Sequence, residues 1–213
     1  MAGEEKIVLK NIVRKYRIYP NKAQETYFAK CFGCVRFVYN KMLSEKQEYY
    51  EKTGKSLRIT PAKYKTDYPW LKEVDSLALA NAQLHLETAY KNFFRDKSVG
   101  FPKYKSKHSS KASYTTNVVN GNIRMIGGKI RLPKAGEVKI KVHRDIEEGR
   151  KLKSVTISRE TTGKYYAALL YQYECNENQV QEKAEQKMLG IDFAMHGLAV
   201  FSNGTKAEYP MFY

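Results

Sequence analysis

The chain has 213 residues, room for one large domain or two modest ones, and its 38 Lys+Arg against 22 Asp+Glu leave a net charge of +16. Ordinary apolar content permits a core, while the charge favours a polyanionic partner, most simply nucleic acid, with many Tyr available to stack on bases. No apolar run reaches the roughly 20 residues of a membrane span, the N-terminus lacks a signal peptide's apolar stretch, and three Cys cannot form a disulfide framework; a reducing, intracellular setting is expected.

Residues 6–19, KIVLKNIVRKYRIY, set β-branched and aromatic residues between basic ones and predict one strand or two short ones. Pro20 ends it. Asn21, with Gln24 three residues on, predicts a capping box at the start of a helix. Tyr27, Phe28, Cys31, Val35, Val38 and Met42 recur at helical spacing. Gly33 is expected to divide this stretch into two helices, and Gly54 to close it. Cys31 and Cys34 form a C-x-x-C pair, but zinc needs four ligands and no second pair exists; both read as small packing residues. Thr60-Pro61 opens a short helix, and YPWLKEVD over 68–75 is a turn-rich connection. Ser76 is expected to cap a longer helix to about Asp96, with Leu79, Ala82, Leu86, Tyr90 and Phe93 as its buried face.

The pattern then changes. Residues 98–116, SVGFPKYKSKHSSKASYTT, are basic, polar and punctuated by Gly and Pro. Strand signals follow: Val138, Ile140 and Val142 alternate with Lys139, Lys141 and His143, Val155 alternates with Ile157, and Tyr165, Ala167, Leu169, Tyr171 and Tyr173 make a third run. Gly127-Gly128 and Thr162-Gly163 are turn signals. Residues 177–187 are polar and charged and read as a linker or a short exposed helix. The order strand, helices, strands, linker, strands predicts an α+β fold: a small antiparallel sheet or barrel that carries a helical insertion.

The last segment contains GIDFAMHGLAVFSNG (190–204), a strand, a turn, a second strand and a second turn, with hairpin signals at His196-Gly197 and Asn203-Gly204. Asp192 sits among Ile191, Phe193 and Ala194, on the opposite face from Ile191 and Phe193. A carboxylate buried there would need a partner or a metal. Nucleases with an RNase H-like core begin in this way, and their acids hold two Mg²⁺ ions. From the segment alone a surface or salt-bridged aspartate is the plainer reading.

Other candidates lie upstream. Lys103, Tyr104, Lys105 and Lys107 occupy a Gly/Pro-punctuated loop whose side chains can meet a phosphate backbone, or simply be solvated. Arg36, Tyr39 and Asn40 lie on a helix and can reach nucleic acid, although Tyr39 suits a core equally well. Asn81 and Gln83 lie on an otherwise apolar helix, where amides bond base edges or each other. The four His are scattered and give no local support to Ser/His or Cys/His catalysis.

YRIYPNKAQ (16–24), FGCVRFVYNK (32–41), SLALANAQLHLETAYKNFF (76–94), GFPKYKSK (100–107) and GIDFAMHGLAVFSNG (190–204) occur in an order and spacing that closely resemble the TnpB (OrfB) proteins of bacterial insertion sequences. These are similar to the ancestors of compact type V CRISPR effectors and are known as RNA-guided DNA endonucleases. The resemblance implies a wedge-like β-barrel from residues 1–20 and 100–176, a helical recognition insert at 21–99, a linker at 177–187 and the start of a RuvC-like nuclease domain at 188–213. It implies guide RNA and target DNA with an adjacent short motif as partners, Mg²⁺ for the complete nuclease, and a cytoplasmic, nucleoid-associated location in a bacterium, with no membrane. The helix holding Asn81 and Gln83 and the segment Tyr114, Thr115, Thr116 and Asn117 would lie near the DNA motif. Asp192 would be the first nuclease acid and an Mg²⁺ ligand. The later Glu and Asp and the zinc ribbon have no counterpart here, so the chain is expected to lack a complete site, a second chain being one way to supply the missing half. Three readings follow: the binding half of a guided nuclease, inactive alone; a nuclease-deficient nucleic-acid-binding regulator; or a decayed transposase-associated product. An older reading of the helical part as a generic helix-turn-helix module finds no Tyr or acidic triad for strand transfer.

Overall fold

A computed structural model describes residues 7–108, 111–176, 189–193 and 197–208. In chain order the elements are β1 (Ile7–Tyr19), α1 (Lys22–Thr53), α2 (Tyr64–Asp67), α3 (Ser76–Arg95), β2 (Ala112–Asn117), β3 (Arg124–Ile126), β4 (Lys129–Leu132), β5 (Gly136–Lys141), β6 (Lys151–Arg159), β7 (Tyr165–Asn176), β8 (Ile191–Asp192), β9 (Ala199–Phe201) and β10 (Lys206–Ala207). Short 3-10 turns at Pro61–Lys63, Pro69–Glu73 and Lys97–Val99 complete the connections around the helices. The chain divides into two compact units: Lys10–Tyr173, and Met1–Leu9 with Glu174–Tyr213.

Local chemistry opens α1 as the spacing requires. Gln24 N–H donates to Asn21 Oδ1 (2.9 Å) and Asn21 N–H donates to Gln24 Oε1 (3.0 Å), which closes the capping box. The same Gln24 amide donates to the carbonyls of Ala135 and Glu137, tying the helix start to the β4–β5 connection. Gly54 ends the helix at φ 66, a left-handed cap that costs glycine nothing. The expected break at Gly33 does not occur; α1 runs unbroken for 32 residues. Phe28, Cys31, Phe32, Cys34 and Val38 are buried on either side of it, and that burial outweighs the roughly 1 kcal/mol a mid-helix glycine costs. In α3 the cap is Asp75 rather than Ser76: its carboxylate accepts from Leu77 N–H at 3.0 Å.

Seven strands form one sheet in the order β2-β6-β7-β1-β5-β4-β3, and every pairing with a described register is antiparallel. The expected barrel is a curled half-barrel with β2 and β3 at its edges. Gly127-Gly128 makes a two-residue hairpin between β3 and β4, with φ 50 and 75, as a primed turn demands. Tyr16, Ile18, Tyr114, Ile130, Val138, Val155, Ile157 and Leu169 are buried in one cluster with Phe28, Met42, Leu79 and Leu86 of the helices. Aromatic rings join the layers: Phe28 lies 6.1 Å from Tyr114 and 5.9 Å from Tyr165, and Phe32 lies 6.0 Å from Tyr114. No helix among the described residues is long and apolar enough to cross a membrane.

In the other unit, β10, β9 and β8 form a small antiparallel meander. Ile191 faces Phe201 and Asp192 faces Val200. The Asn203-Gly204 turn forms as expected, with Gly204 at φ 86 and its N–H donating to Phe201 O. The 177–187 linker lies outside the described residues, as do His196 of the expected first turn and residues 209–213.

Candidate nucleic-acid interface

Helices α1 and α3, the loop after α3 and strand β2 enclose a cleft of about 340 Å³. Its floor is apolar, with Phe32, Val35, Ala78, Ala82 and Tyr114. Its rim carries Arg36, His85, Lys105 and Lys111, and its polar walls are Asn81, Ser113 and Thr115. None of the residues lining it is a carboxylate. Such a recess concentrates positive potential and suits an anionic ligand with a flat or apolar part.

Each element delivers its side chain for a local reason. Asn40 on α1 grips the loop: its Nδ2 donates to Lys105 O (2.9 Å) and its Oδ1 accepts from Lys105 N–H (2.8 Å). These two hydrogen bonds hold Lys105 with its ammonium 4.0 Å from the Tyr39 ring centroid. Burial holds the Lys105 ammonium below its ordinary value, so its charge is partly stripped of water. Partial burial, and then the charge of Lys105, hold His85 below the usual imidazole value. The neutral imidazole is therefore favoured at pH 7, and the fixed cations are Arg36, Lys105 and Lys111.

The thirteen upstream candidates divide in this structure. Arg36, Asn81, Lys105, Tyr114 and Thr115 meet at the cleft. Asn81 is buried, and its amide donates to Leu77 O (2.9 Å). Tyr39 is buried as a platform for Lys105, and Asn40 is occupied with the loop backbone, so both hold Lys105 in place. Lys103 and Lys107 are exposed on either side of it; Tyr104 donates its hydroxyl to Gln47 Oε1 (2.8 Å). Gln83 does not line the cleft, and its amide donates to Glu87 Oε1 (2.8 Å).

Strand alternation sorts the β2 candidates. Tyr114 is 3% exposed and Thr116 is 0% exposed, so neither hydroxyl-bearing side chain reaches the surface. Thr116 donates to the carboxylate of Asp75, a buried bond that ties β2 to the cap of α3. Thr115 shares a hydrogen bond with Thr156 (2.8 Å), and Asn117 accepts through its carbonyl from Asn122. His85, Lys111 and Ser113 were not expected at the site. In KASYTT, 111, 113 and 115 share one face and 112, 114 and 116 the other, yet the cleft is lined from both, by Ala112 and Tyr114 as well as Lys111, Ser113 and Thr115.

Burial pushes the Cys31 thiol up to about 12 and the Cys34 thiol up to about 11. Both stay protonated at neutral pH and pack as small apolar residues in the core. Asp192 is exposed, with Ile191 at 55% and Phe193 at 78% exposure beside it. Among the described residues no three His, Cys, Asp or Glu come together to hold a metal.

Comparison with known proteins bears on this geometry. A helix-turn-helix domain family, HTH_OrfB_IS605, matches residues 10–55. In this structure that stretch is most of β1 and the single unbroken α1. A protein of Streptomyces pristinaespiralis named "Putative RNA-guided DNA endonuclease" is 33% identical over 206 residues, covering 92% of this chain and 49% of its own. InsQ of Escherichia coli (strain K12), named in the same way, is 30% identical over 91% of this chain and 48% of its own. The virulence protein VsdF of Salmonella dublin is 38% identical over 111 residues, 44% of this chain and 92% of its own. The chain spans about half the length of the first two relatives and corresponds to their N-terminal half.

Proposed function

The chain belongs to the TnpB (OrfB) family of insertion-sequence proteins, and we propose that it is the nucleic-acid-binding half of an RNA-guided DNA endonuclease. The observation that carries this reading is the cleft: three fixed cations, a neutral His and three short polar side chains, without a carboxylate, over an apolar floor. Arg36, Lys105 and Lys111 meet phosphates, which position the polymer. Asn81, Ser113 and Thr115 offer donors and acceptors to base edges, the chemistry needed to check a short DNA motif. Lys103 and Lys107 extend the phosphate track along the loop. Residues 21–99 then serve as recognition helices, residues 1–20 and 100–176 as the wedge, and 188–213 as the opening of a RuvC-like domain. Guide RNA supplies the remaining sequence reading by pairing. Asp192 would contribute one carboxylate to Mg²⁺ in a complete nuclease, and this chain alone binds without cutting.

Incubation with Mg²⁺, guide RNA and a matched target tests both halves of the reading. Retention of RNA and target without cleavage is expected, unchanged in Asp192→Ala. Specific cleavage that disappears in Asp192→Ala would overturn the claim that the catalytic site is incomplete. Absence of any nucleic-acid binding would overturn the claim of a binding half.

A further inference from the structure

A groove of about 1190 Å³ lies between the last turns of α1, the return segment 56–60 and the C-terminal half of α3. It shares no residue with the cleft. Past Gly54 the chain doubles back, and Lys46 Nζ donates to Leu57 O (2.7 Å), which ties the return to α1. Leu57 and Ile59 are half-buried there, while Ser56, Arg58 and Thr60 are exposed. On α3, Gln83, Glu87, Tyr90 and Phe94 follow one another at helical spacing and form the opposite wall. Rings crowd that wall: Tyr90 lies 6.3 Å from Phe94 and 5.5 Å from Phe101, and Phe93 lies 5.4 Å from Phe94 and 5.3 Å from Phe101. Aromatic packing of this kind ordinarily belongs to a core or an interface. Here Phe94 is 73% exposed and Tyr50 63%.

Charge, shape and area together say what covers such a surface. Groove cations Lys46 and Lys63 are already engaged, with Leu57 O and with Glu45 (3.2 Å). Among the described residues Arg58, Lys91 and Glu51 form no ion pair, and Glu87 accepts only from the Gln83 amide (2.8 Å). Two cations thus balance two carboxylates in a chain whose net charge is +16. Those carboxylates repel a phosphate backbone; the cleft has none. A surface with both signs in equal number is its own complement after half a turn. Shape agrees, because the recess and the protruding rings lie on the same surface. Tyr50, Phe94 and Phe101 leave roughly 400 Å² of aromatic surface in water on each copy. With the charged rim included, two copies reach the lower end of a stable interface, about 1,200 Å² in total.

We propose that this groove is the contact surface of a symmetric dimer and that its occupant is a second copy of the same chain. Phe94 of each copy enters the groove of the other beside Tyr50, and Glu51 and Glu87 meet Arg58 and Lys91 across the two-fold axis. The cleft residues take no part, so the pairing stands or falls apart from the nucleic-acid reading.

Sedimentation equilibrium of the full chain after nuclease treatment tests it. The parent should populate a dimer whose share grows with concentration. Phe94→Ser should weaken dimerisation about tenfold or more, with no fall in melting temperature at dilutions where the parent is monomeric. Glu51→Lys/Glu87→Lys and Arg58→Glu/Lys91→Glu should each dimerise about tenfold more weakly alone, because like charges then face each other. An equimolar mixture of the two should recover the parental affinity. A parent that is monomeric throughout overturns the proposal. So does a dimer that the nuclease removes, one that none of these variants weakens, or a mixture that recovers nothing. If a monomeric parent binds single-stranded nucleic acid and Phe94→Ser loses it, the groove holds bases instead and the proposal fails. Parental nucleic-acid affinity in Arg36→Gln/Lys111→Gln would count against the cleft reading alone.

Discussion

The cleft and the small β8–β10 sheet both carry residues marked out by their chemistry, and they differ in how those residues are held. Around the cleft, Asn40 fixes the Lys105 backbone, Thr116 bonds Asp75, and the rings of Phe28 and Phe32 pack at a tilt against Tyr114. In the β8–β10 sheet, Asp192 and its neighbours Ile191 and Phe193 are exposed. A side chain's type proposes chemistry; the packing around it decides whether that chemistry is positioned. The cleft is positioned within the described residues, and the aspartate is not.

The largest expected effect tests that packing. Phe28→Ala removes a fully buried ring between α1 and the sheet and should cost about 3–5 kcal/mol in chemical denaturation. Phe193→Ala, at an exposed position just after β8, should change stability by less than about 0.5 kcal/mol. Comparable losses at the two positions would erase the distinction. Next, Thr116→Val preserves shape but strips the buried Asp75 carboxylate of its hydroxyl donor; about 1–3 kcal/mol of stability should be lost.

Function follows at a smaller scale. Arg36→Gln/Lys111→Gln should weaken nucleic-acid binding about tenfold in fluorescence anisotropy while leaving the melting temperature unchanged. A shift in melting temperature instead would make both residues structural. His85 sharpens the point through pH. Its lowered value leaves it neutral at pH 7, and an anion in the cleft favours the protonated form. Affinity should therefore rise as pH falls into the acidic range, below the usual imidazole value, and His85→Gln should flatten that rise. The smallest effect is at Asp192: alanine there should alter neither affinity nor stability measurably. A loss of either would show that the carboxylate is already engaged.

Much of the fold was legible because its signals are local. The capping box at Asn21 and Gln24, the left-handed Gly54 and the Gly127-Gly128 hairpin each depend on residues within a few positions. The cap of α3 was read one residue late because Asp75 and Ser76 are both good capping residues, and only the tertiary bond from Thr116 favours Asp75. Gly33 misled because propensity is weak beside the burial of the turns around it. The cleft was half legible. Arg36, Asn81 and Lys105 stood out by type, but their meeting with Lys111 and His85 depends on α3 packing against both α1 and β2. No spacing rule encodes that contact. Tyr114 and Thr116 were candidates for contact with nucleic acid, and both are buried in the alternation of β2.

The Asn40 clamp has one more consequence. A lysine on a free loop surrenders up to about 2 kcal/mol of rotational freedom when it settles on an anion. Here the Lys105 backbone is held at both its N–H and its C=O, and its ammonium already rests against an aromatic face. Most of that ordering has taken place during folding, so on the proposed reading Lys105 would meet an anion as a pre-set contact whose position Asn40 determines.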